Sequence, residues 1–353
     1  MSLNKRLINA GGVSEIYTDV AYVAAYGNDS ITAINIADPN NLSEISSFTS
    51  ANLNGAYSIE LDTVNNIAYV VSQIANTITA IDISDPNSMS EIGSFTNSNF
   101  EQLTGLALDL TNQVAYVTNL SLNKRNITSI DISNPSSMSQ LSTLAYSNAA
   151  GMHDIKLDLI NNVAYVVGVY SYTIVSFDIS NPSSISFLNF FSNSRLNGCY
   201  SIGLDVSNNV AYSVSYAVDT FMSYNISNPS NISELNYVAN REVQLDGAYS
   251  VDLDLVNNTA FVGARIADNI SSIDISNPSN MIYVSSLSSS NFDNLVSCKL
   301  DLDTNILYVT SQTNNSLTAV DVSNRASMVE LGTISSLSLN GSRRIAIQKI
   351  IIP

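Results

Sequence analysis

The sequence has few of the residues on which enzyme chemistry and covalent cross-linking usually depend. Its 353 residues include one histidine, two cysteines and no tryptophan. Two cysteines, Cys199 and Cys298, are too few for a disulfide framework. Without a Cys-x-x-Cys pair or a Cys/His cluster, the sequence predicts no zinc site. We therefore expect no metal, no cofactor, no catalytic residue and two buried free thiols.

Positive charge is also scarce, with 13 basic against 30 acidic residues and a formal net charge of −17. Nucleic acids and anionic membranes are bound through basic stripes, so neither is an expected partner. No apolar run is long enough to cross a membrane, and the N-terminal MSLNKRLINAGG lacks the apolar core of a signal peptide. We expect no leader and no membrane insertion; an extracellular or virion-surface location stays open if a leader was removed.

One phrase recurs along the whole chain. TITAIDISDP at 77–86 returns in variants such as ITSIDISNP at 127–135 and ISSIDISNP at 270–278. The phrase ends in a proline in six copies: Pro39, Pro86, Pro135, Pro182, Pro229 and Pro278. Successive prolines are 47 or 49 residues apart, and Arg325 takes the place of a proline 47 residues after Pro278. Pairs such as Ala21-Tyr22, Ala68-Tyr69 and Leu307-Tyr308 keep the same step, so seven copies are present.

Each copy reads as four short strands separated by turn residues. In the second copy these are YSIELD, IAYVVSQ, TITAIDIS and SEIGSFT, which are alternating or β-branched runs. Four strands in a repeat of this length predict an all-β fold, a seven-bladed β-propeller with four antiparallel strands per blade. A β-solenoid is the alternative, although its repeats are usually shorter.

We predict one domain over 1–353 with both termini in the closing blade. The repeats are expected at about 12–49, 55–96, 102–145, 151–192, 198–238, 247–288 and 294–335, with a closing strand in 339–353. LNGSRRIAIQ at 339–348 matches the blade opening LNGAYSIELD at 53–62, but GVSEIYTD at 12–19 also fits an inner strand. Which of the two is innermost stays open.

The segments AYVVSQIANTITAIDISDP and VAYVTNLSLNKRNITSIDISNP resemble LVIVD-type and YVTN-type propeller repeats. The resemblance extends over about residues 12–348 and implies the propeller fold. Such repeats are similar to those of microbial cell-surface and surface-layer proteins, and also to those of proteins with no assigned role.

Two rings of acidic residues recur at fixed places in the repeat. One contains Asp82 and its equivalents and the other contains Asp62 and its equivalents. A catalytic site needs unlike groups at one place, so we interpret both rings as hydrogen-bond acceptors that hold turns. Calcium bound at the second ring is the alternative.

The copies differ mainly in the loops between strands 2 and 3 and between blades, which open on one face of a propeller, here called the loop face. The turns of the opposite face, the turn face, are nearly uniform. Most of the scarce cations fall in the variable loops: Lys124, Arg125, Arg195, Arg241 and Arg265. Such a group of cations would suit an anionic partner. The alternative is that these cations pair with Glu242, Asp246 and Asp268.

The aligned starts of the inner strands supply a second candidate site. They carry Tyr57, Thr104, His153, Tyr200, Tyr249, Val296 and Arg343. Three tyrosines, an arginine and the histidine are expected to ring a shallow pocket at the channel mouth. His153 is either a general base, since its ordinary pKa is near neutrality, or simply one rim variant among seven.

The leading functional hypothesis is a non-enzymatic scaffold that binds a protein, a glycan or an anionic partner through its loop face. One alternative is a lactonase-like or hydrolase-like propeller enzyme with a metal held by Glu60, Asp154 and Asp252. Another is a structural component of a virion or cell surface. The sequence does not indicate an oligomeric state.

Overall fold

The computed structural model describes residues 19–239 and 244–349. Within these ranges the chain forms seven four-stranded antiparallel sheets, the blades of a β-propeller. The predicted fold class is confirmed. The predicted domain over 1–353 and its repeat borders stay a prediction. No helix in the described ranges is long and apolar enough to span a membrane.

Each blade runs from an innermost to an outermost strand. The first four blades, in that order, are β28 (Ser342–Lys349), β1 (Asp19–Ala25), β2 (Ser30–Asn35), β3 (Ser43–Thr49); β4 (Ala56–Asp62), β5 (Ile67–Ser72), β6 (Thr77–Asp82), β7 (Ser90–Phe95); β8 (Leu103–Asp109), β9 (Val114–Asn119), β10 (Asn126–Asp131), β11 (Ser139–Ala145); and β12 (Met152–Asp158), β13 (Val163–Gly168), β14 (Thr173–Asp178), β15 (Ser186–Ser192).

The last three blades follow the same plan. They are β16 (Cys199–Asp205), β17 (Val210–Ser215), β18 (Thr220–Asn225), β19 (Ser233–Ala239); β20 (Ala248–Asp254), β21 (Thr259–Ala264), β22 (Asn269–Asp274), β23 (Ile282–Ser288); and β24 (Leu295–Asp301), β25 (Ile306–Ser311), β26 (Ser316–Asp321), β27 (Val329–Ser335). Short 3-10 turns precede four inner strands, at Ala51–Leu53, Ser194–Leu196, Ser290–Phe292 and Leu337–Leu339.

The core lies between the blades. Seven apolar clusters each join two neighbouring blades, and the last joins blade 7 to blade 1. The second strand of each blade is buried on both faces, which explains continuous apolar runs such as Ile67–Ser72, whereas the outermost strands are largely exposed. A blade alone cannot bury both of its faces, so the ring is the unit of stability.

The repeated tyrosines join adjacent blades, as their sequence positions predict. Tyr22, Tyr165 and Tyr308 are fully or almost fully buried. The hydroxyl of Tyr22 donates to the carbonyl of Ile83 in the next blade (3.4 Å), and Tyr308 donates in the same way to Ile36 (3.3 Å). Tyr22 and Tyr308 therefore each contribute apolar area and a hydrogen bond to one interface, whereas the buried hydroxyl of the equivalent Tyr116 has no hydrogen-bond partner among the described residues.

The two acidic rings hold turns. Asp82 accepts a hydrogen bond from the backbone N–H of Ser84 (2.9 Å), and the equivalent Asn225 accepts one from Ser227 (2.9 Å). In the second ring the Asp158 carboxylate accepts from the N–H groups of Ile160 and Asn161 and from the Asn161 amide. An acceptor with two or three donors fixes the turn locally, and these contacts account for the recurrence without a metal.

The C-terminal strand closes the ring. Ser342–Lys349 pairs antiparallel with Asp19–Ala25 and is the innermost strand of blade 1. Of the two segments that the sequence offered as the innermost strand, the C-terminal one at 339–348 therefore takes this place. Residues 12–18 of the other segment lie outside the described part of the chain. Cys199 and Cys298 are buried free thiols, as predicted.

We expect Asp158→Ala to lower the free energy of unfolding by about 2 kcal/mol, because three hydrogen bonds are lost at a buried turn. Asp158→Asn keeps one acceptor oxygen and should cost roughly half as much. Urea unfolding of the two variants and the wild type measures both values. Equal stability of Asp158→Ala and the wild type would contradict the assignment of this ring to turn formation.

Candidate functional site

Every inner strand contains a β-bulge near its start. In blade 2, Ala56 pairs with Ser72 and Ser58 with Val71, so Tyr57 is the extra residue. The same shift occurs in the other six blades. Bulges redirect side chains and occur often beside functional sites. The bulged positions are the residues predicted at the channel mouth: Tyr57, Thr104, His153, Tyr200, Tyr249, Val296 and Arg343.

Four of these residues meet inside the channel and form a group that we call the aromatic plug: Tyr57, His153, Tyr200 and Tyr249. The hydroxyl of Tyr57 lies 2.7 Å from Nε2 of His153 and 3.3 Å from the hydroxyl of Tyr249. Nδ1 of His153 lies 2.7 Å from the Tyr200 carbonyl oxygen. The plug thereby links blades 2, 4, 5 and 6.

The plug packs where a shallow pocket ringed by these residues was predicted, and the pocket itself stays a prediction. Tyr200 and Tyr249 stack with ring centroids 4.4 Å apart, and Tyr57 meets His153 edge to face. His153 is 1% exposed and Tyr57 and Tyr249 are 5% exposed. These rings pack on each other because the bulges direct them inward from different blades, and Tyr200 stays half-buried.

His153 is neutral in this environment. Burial and then the charge of Arg344 lower the pKa of His153 to about 3. A carbonyl oxygen only accepts, so Nδ1 carries the proton and donates to Tyr200, while Nε2 accepts from the Tyr57 hydroxyl. Every ring nitrogen is thus used within the plug, which favours a packing role over that of a general base.

Two arginines lie against tyrosine rings at the loop face. The guanidinium of Arg343 is 5.1 Å from the ring centroids of Tyr26 and Tyr57, and that of Arg265 is 5.1 Å from the centroid of Tyr249. Nε of Arg343 is buried without a hydrogen-bond partner. Arg265 donates to side-chain amide oxygens, including that of Gln312 (3.0 Å).

The other predicted loop cations that the structure describes contact groups in or beside their own loops. Lys124 donates to the carbonyl of Ser98 and Arg125 to the carbonyls of Leu122 and Ser147. Arg195 lies 3.4 Å from the Glu234 carboxylate and 4.0 Å from the ring centroid of Tyr237.

The alternative pairing of these cations with Asp246 and Asp268 is not found among the described residues. Asp268 accepts from the backbone N–H of Asn294 (2.9 Å) instead, and Asp246 has no ion pair among the described residues. Arg241 and Glu242 lie outside the described residues.

The described cations divide into two groups. Six have a carboxylate within 4 Å: Lys156, Arg195, Lys299, Arg325, Arg344 and Lys349. The other four have none in residues 19–239 and 244–349, although all are half-buried: Lys124, Arg125, Arg265 and Arg343. All four belong to the predicted loop-face site.

The channel below the plug is lined by charged side chains and holds a cavity of about 180 Å³. Asp154 lies 3.1 Å from Arg344 across the ring and also accepts from Ser201 and the N–H of Ile202. Arg344 was not predicted as a site residue, because aligning the internal repeats places it only near the start of an inner strand. Its partner lies 190 residues away by their numbering.

The proposed metal ligands do not fit a metal site. Asp154 is paired with Arg344, Glu60 lies 3.9 Å from Lys156, and Asp252 lies 3.6 Å from Lys299. Cations at these positions oppose a metal ion electrostatically. Among the described residues, no three His, Cys, Asp or Glu side chains are grouped to hold a metal.

We expect His153 not to titrate between about pH 5 and 8, because burial holds its pKa far below the ordinary value. It is the chain's only histidine, so its NMR ring signals need no assignment. The unfolded chain takes up the proton below about pH 6.5, so the wild type loses stability as pH falls from there. Between pH 7 and 5, the free energy of unfolding of His153→Gln should therefore fall by about 2 kcal/mol less than that of the wild type. An NMR midpoint near pH 6.5 would contradict the buried plug.

The sequence matches the family model of the LVIVD repeat over residues 63–97, 122–144, 157–191, 264–288 and 297–336. No functionally curated protein matches it significantly. Similar solved structures include a periplasmic gluconolactonase of Pseudomonas aeruginosa, with 9% identity and a TM-score of 0.81, covering 94% of this chain and 99% of that one.

A functionally unknown protein of Desulfotomaculum acetoxidans has 13% identity and a TM-score of 0.76, covering 93% of this chain and 98% of that one. A putative 6-phosphogluconolactonase of Bacteroides fragilis has 10% identity and a TM-score of 0.78, covering 95% and 99%. At such identities the likeness shows the fold alone. The resemblance to YVTN repeats stays a prediction, whereas the LVIVD resemblance is confirmed: the chain contains LVIVD repeats and folds as a seven-bladed β-propeller.

Proposed function

We propose that this protein is a non-enzymatic scaffold that binds an anionic partner through its loop face. The observation that carries the proposal is a group of four half-buried cations with no carboxylate partner in residues 19–239 and 244–349: Lys124, Arg125, Arg265 and Arg343. The chain has 30 acidic residues, and the other described cations all have a carboxylate within 4 Å.

The two central arginines are presented in a form suited to anions. A guanidinium that lies on a tyrosine ring is held in one plane, so its remaining N–H groups can donate to a carboxylate, sulfate or phosphate. In Arg265 the remaining group is Nη1, because Nε and Nη2 donate to Asn294 and Gln312. Arg343 and Arg265 lie on different rings of the same centre, at Tyr57 and Tyr249. Because the aromatic plug closes the channel beneath them, this centre offers a surface to a large partner.

An enzymatic role has less support in the described residues. His153 is buried and neutral, and burial raises the pKa of both Cys199 and Cys298 to about 12. The gluconolactonase of similar fold is therefore a weaker guide to activity than the arrangement of charge. A structural role at a virion or cell surface stays a prediction.

A sulfated oligosaccharide serves as the anionic probe for the loop face. We expect Arg125→Gln and Arg265→Gln each to weaken binding about tenfold, since a charge-assisted hydrogen bond contributes ~1.5 kcal/mol. The apparent affinity should also fall as salt rises. Titration calorimetry or fluorescence anisotropy at two salt concentrations measures both effects.

Arg325→Gln is the matched control, because Arg325 is already paired with Asp274 at 2.8 Å on the turn face. It should leave binding of the sulfated probe unchanged. A neutral oligosaccharide of equal length should bind at least tenfold more weakly. Equal loss of binding in the Arg325 and Arg265 variants, or equal affinity for both sugars, would overturn the proposal.

A further inference from the structure

The charged cavity beneath the plug is a separate candidate site, here called the turn-face pocket. It is lined by Glu60, Asp154, Lys156, Asp252, Lys299 and Arg344, among others. None of the four plug residues lines it, whereas Thr63 of a turn-face turn does. The plug therefore separates the pocket from the loop face, and the pocket is reached from the turn face.

The pocket exists because the inner strands alternate charged and small residues at one level of the channel. Glu60, Lys156, Asp252 and Lys299 come from blades 2, 4, 6 and 7. The equivalent residues of the other three blades are Ala107, Gly203 and Ala346. The small residues leave space at this level, and four charged groups face it.

Two of the pocket's carboxylates are held by hydrogen bonds to neighbouring strands. Asp154 accepts from Ser201, from the N–H of Ile202 and from Arg344. Asp252 accepts from the N–H of Leu300 at 2.8 Å and lies 3.6 Å from Lys299. These contacts join neighbouring or opposite blades, so we assign both carboxylates to the walls of the pocket.

Glu60, Lys156 and Lys299 keep unused hydrogen-bonding capacity. The Lys156–Glu60 distance is 3.9 Å and the Lys299–Asp252 distance is 3.6 Å, both longer than a hydrogen bond. Their side chains are 39% exposed for Glu60 and Lys156 and 44% for Lys299. Attraction by Asp252 raises the pKa of Lys299, so its ammonium is charged at neutral pH.

We propose that the turn-face pocket binds a small amino dicarboxylic acid. The two ammonium groups of Lys156 and Lys299 come from blades 4 and 7, on opposite sides of the ring, and suit two carboxylates that are a few bonds apart. The Glu60 carboxylate suits the amino group. A cavity of about 180 Å³ has room for a ligand of this size but not for a polymer.

Titration calorimetry of the full chain with glutamate, glutarate and glutamine tests this charge pattern. Glutamate should bind most tightly. Glutamine, which has one carboxylate fewer, should bind at least tenfold more weakly, because one charge-assisted hydrogen bond is lost. Glu60→Gln should weaken glutamate binding but not glutarate binding, since glutarate has no amino group and the change removes a carboxylate that competes for Lys156. Absence of binding for all three ligands would overturn the proposal.

Lys299→Met and Lys156→Met should each weaken glutamate binding at least tenfold. Lys349→Met is the matched control: Lys349 is ion-paired with Asp301 at 2.6 Å and does not line the pocket. Thermal unfolding of each variant shows whether it still folds. If one of the two lysine variants does not fold, the other one provides the test. Glutamate affinity that is equal in folded Lys156→Met, Lys349→Met and wild type would also overturn the proposal.

Discussion

The pairing of the C-terminal strand with the first described strand is the constraint on which the rest of the structure depends. Ser342–Lys349 occupies the innermost place in blade 1 and closes the circle of seven sheets. It also carries Arg343 to the rings of Tyr26 and Tyr57, Arg344 across the channel to Asp154, and Lys349 to Asp301. Ring closure and the assembly of both candidate sites therefore depend on one strand.

The bulges convert a symmetric frame into two unlike ends of a channel. The frame repeats the same strands and turns seven times, so it gives no site by itself. At the bulged positions the residues differ, and Tyr57, His153 and Tyr249 meet to close the channel at the loop face. In the part of the chain that the structure describes, the loop face has cations without carboxylate partners, whereas the turn-face pocket has three carboxylates facing three cations. The two ends are consequently suited to different ligands.

Most of the frame was predictable because it depends on local chemistry that recurs. The roles of Asp82 and Asp158 follow from an acceptor placed beside a turn, and the buried tyrosines follow from their place in each repeat. The plug was not predictable, because Tyr57 and His153 meet across a ring whose width and bulges no local pattern contains. For the same reason the sequence did not reveal the Arg344–Asp154 pair. The loop cations could be located from sequence, but their lack of carboxylate partners could not.

The most direct test of the central role of ring closure is the thermal unfolding of a truncated variant whose last residue is Asn340. Without the strand, blade 1 loses the inner partner of Asp19–Ala25, and the apolar cluster between blades 7 and 1 loses Ile345. The account predicts a much lower and broader transition than that of the full chain, with partial recovery when a peptide of residues 341–349 is added. An unchanged, cooperative transition at the full chain's midpoint would contradict it.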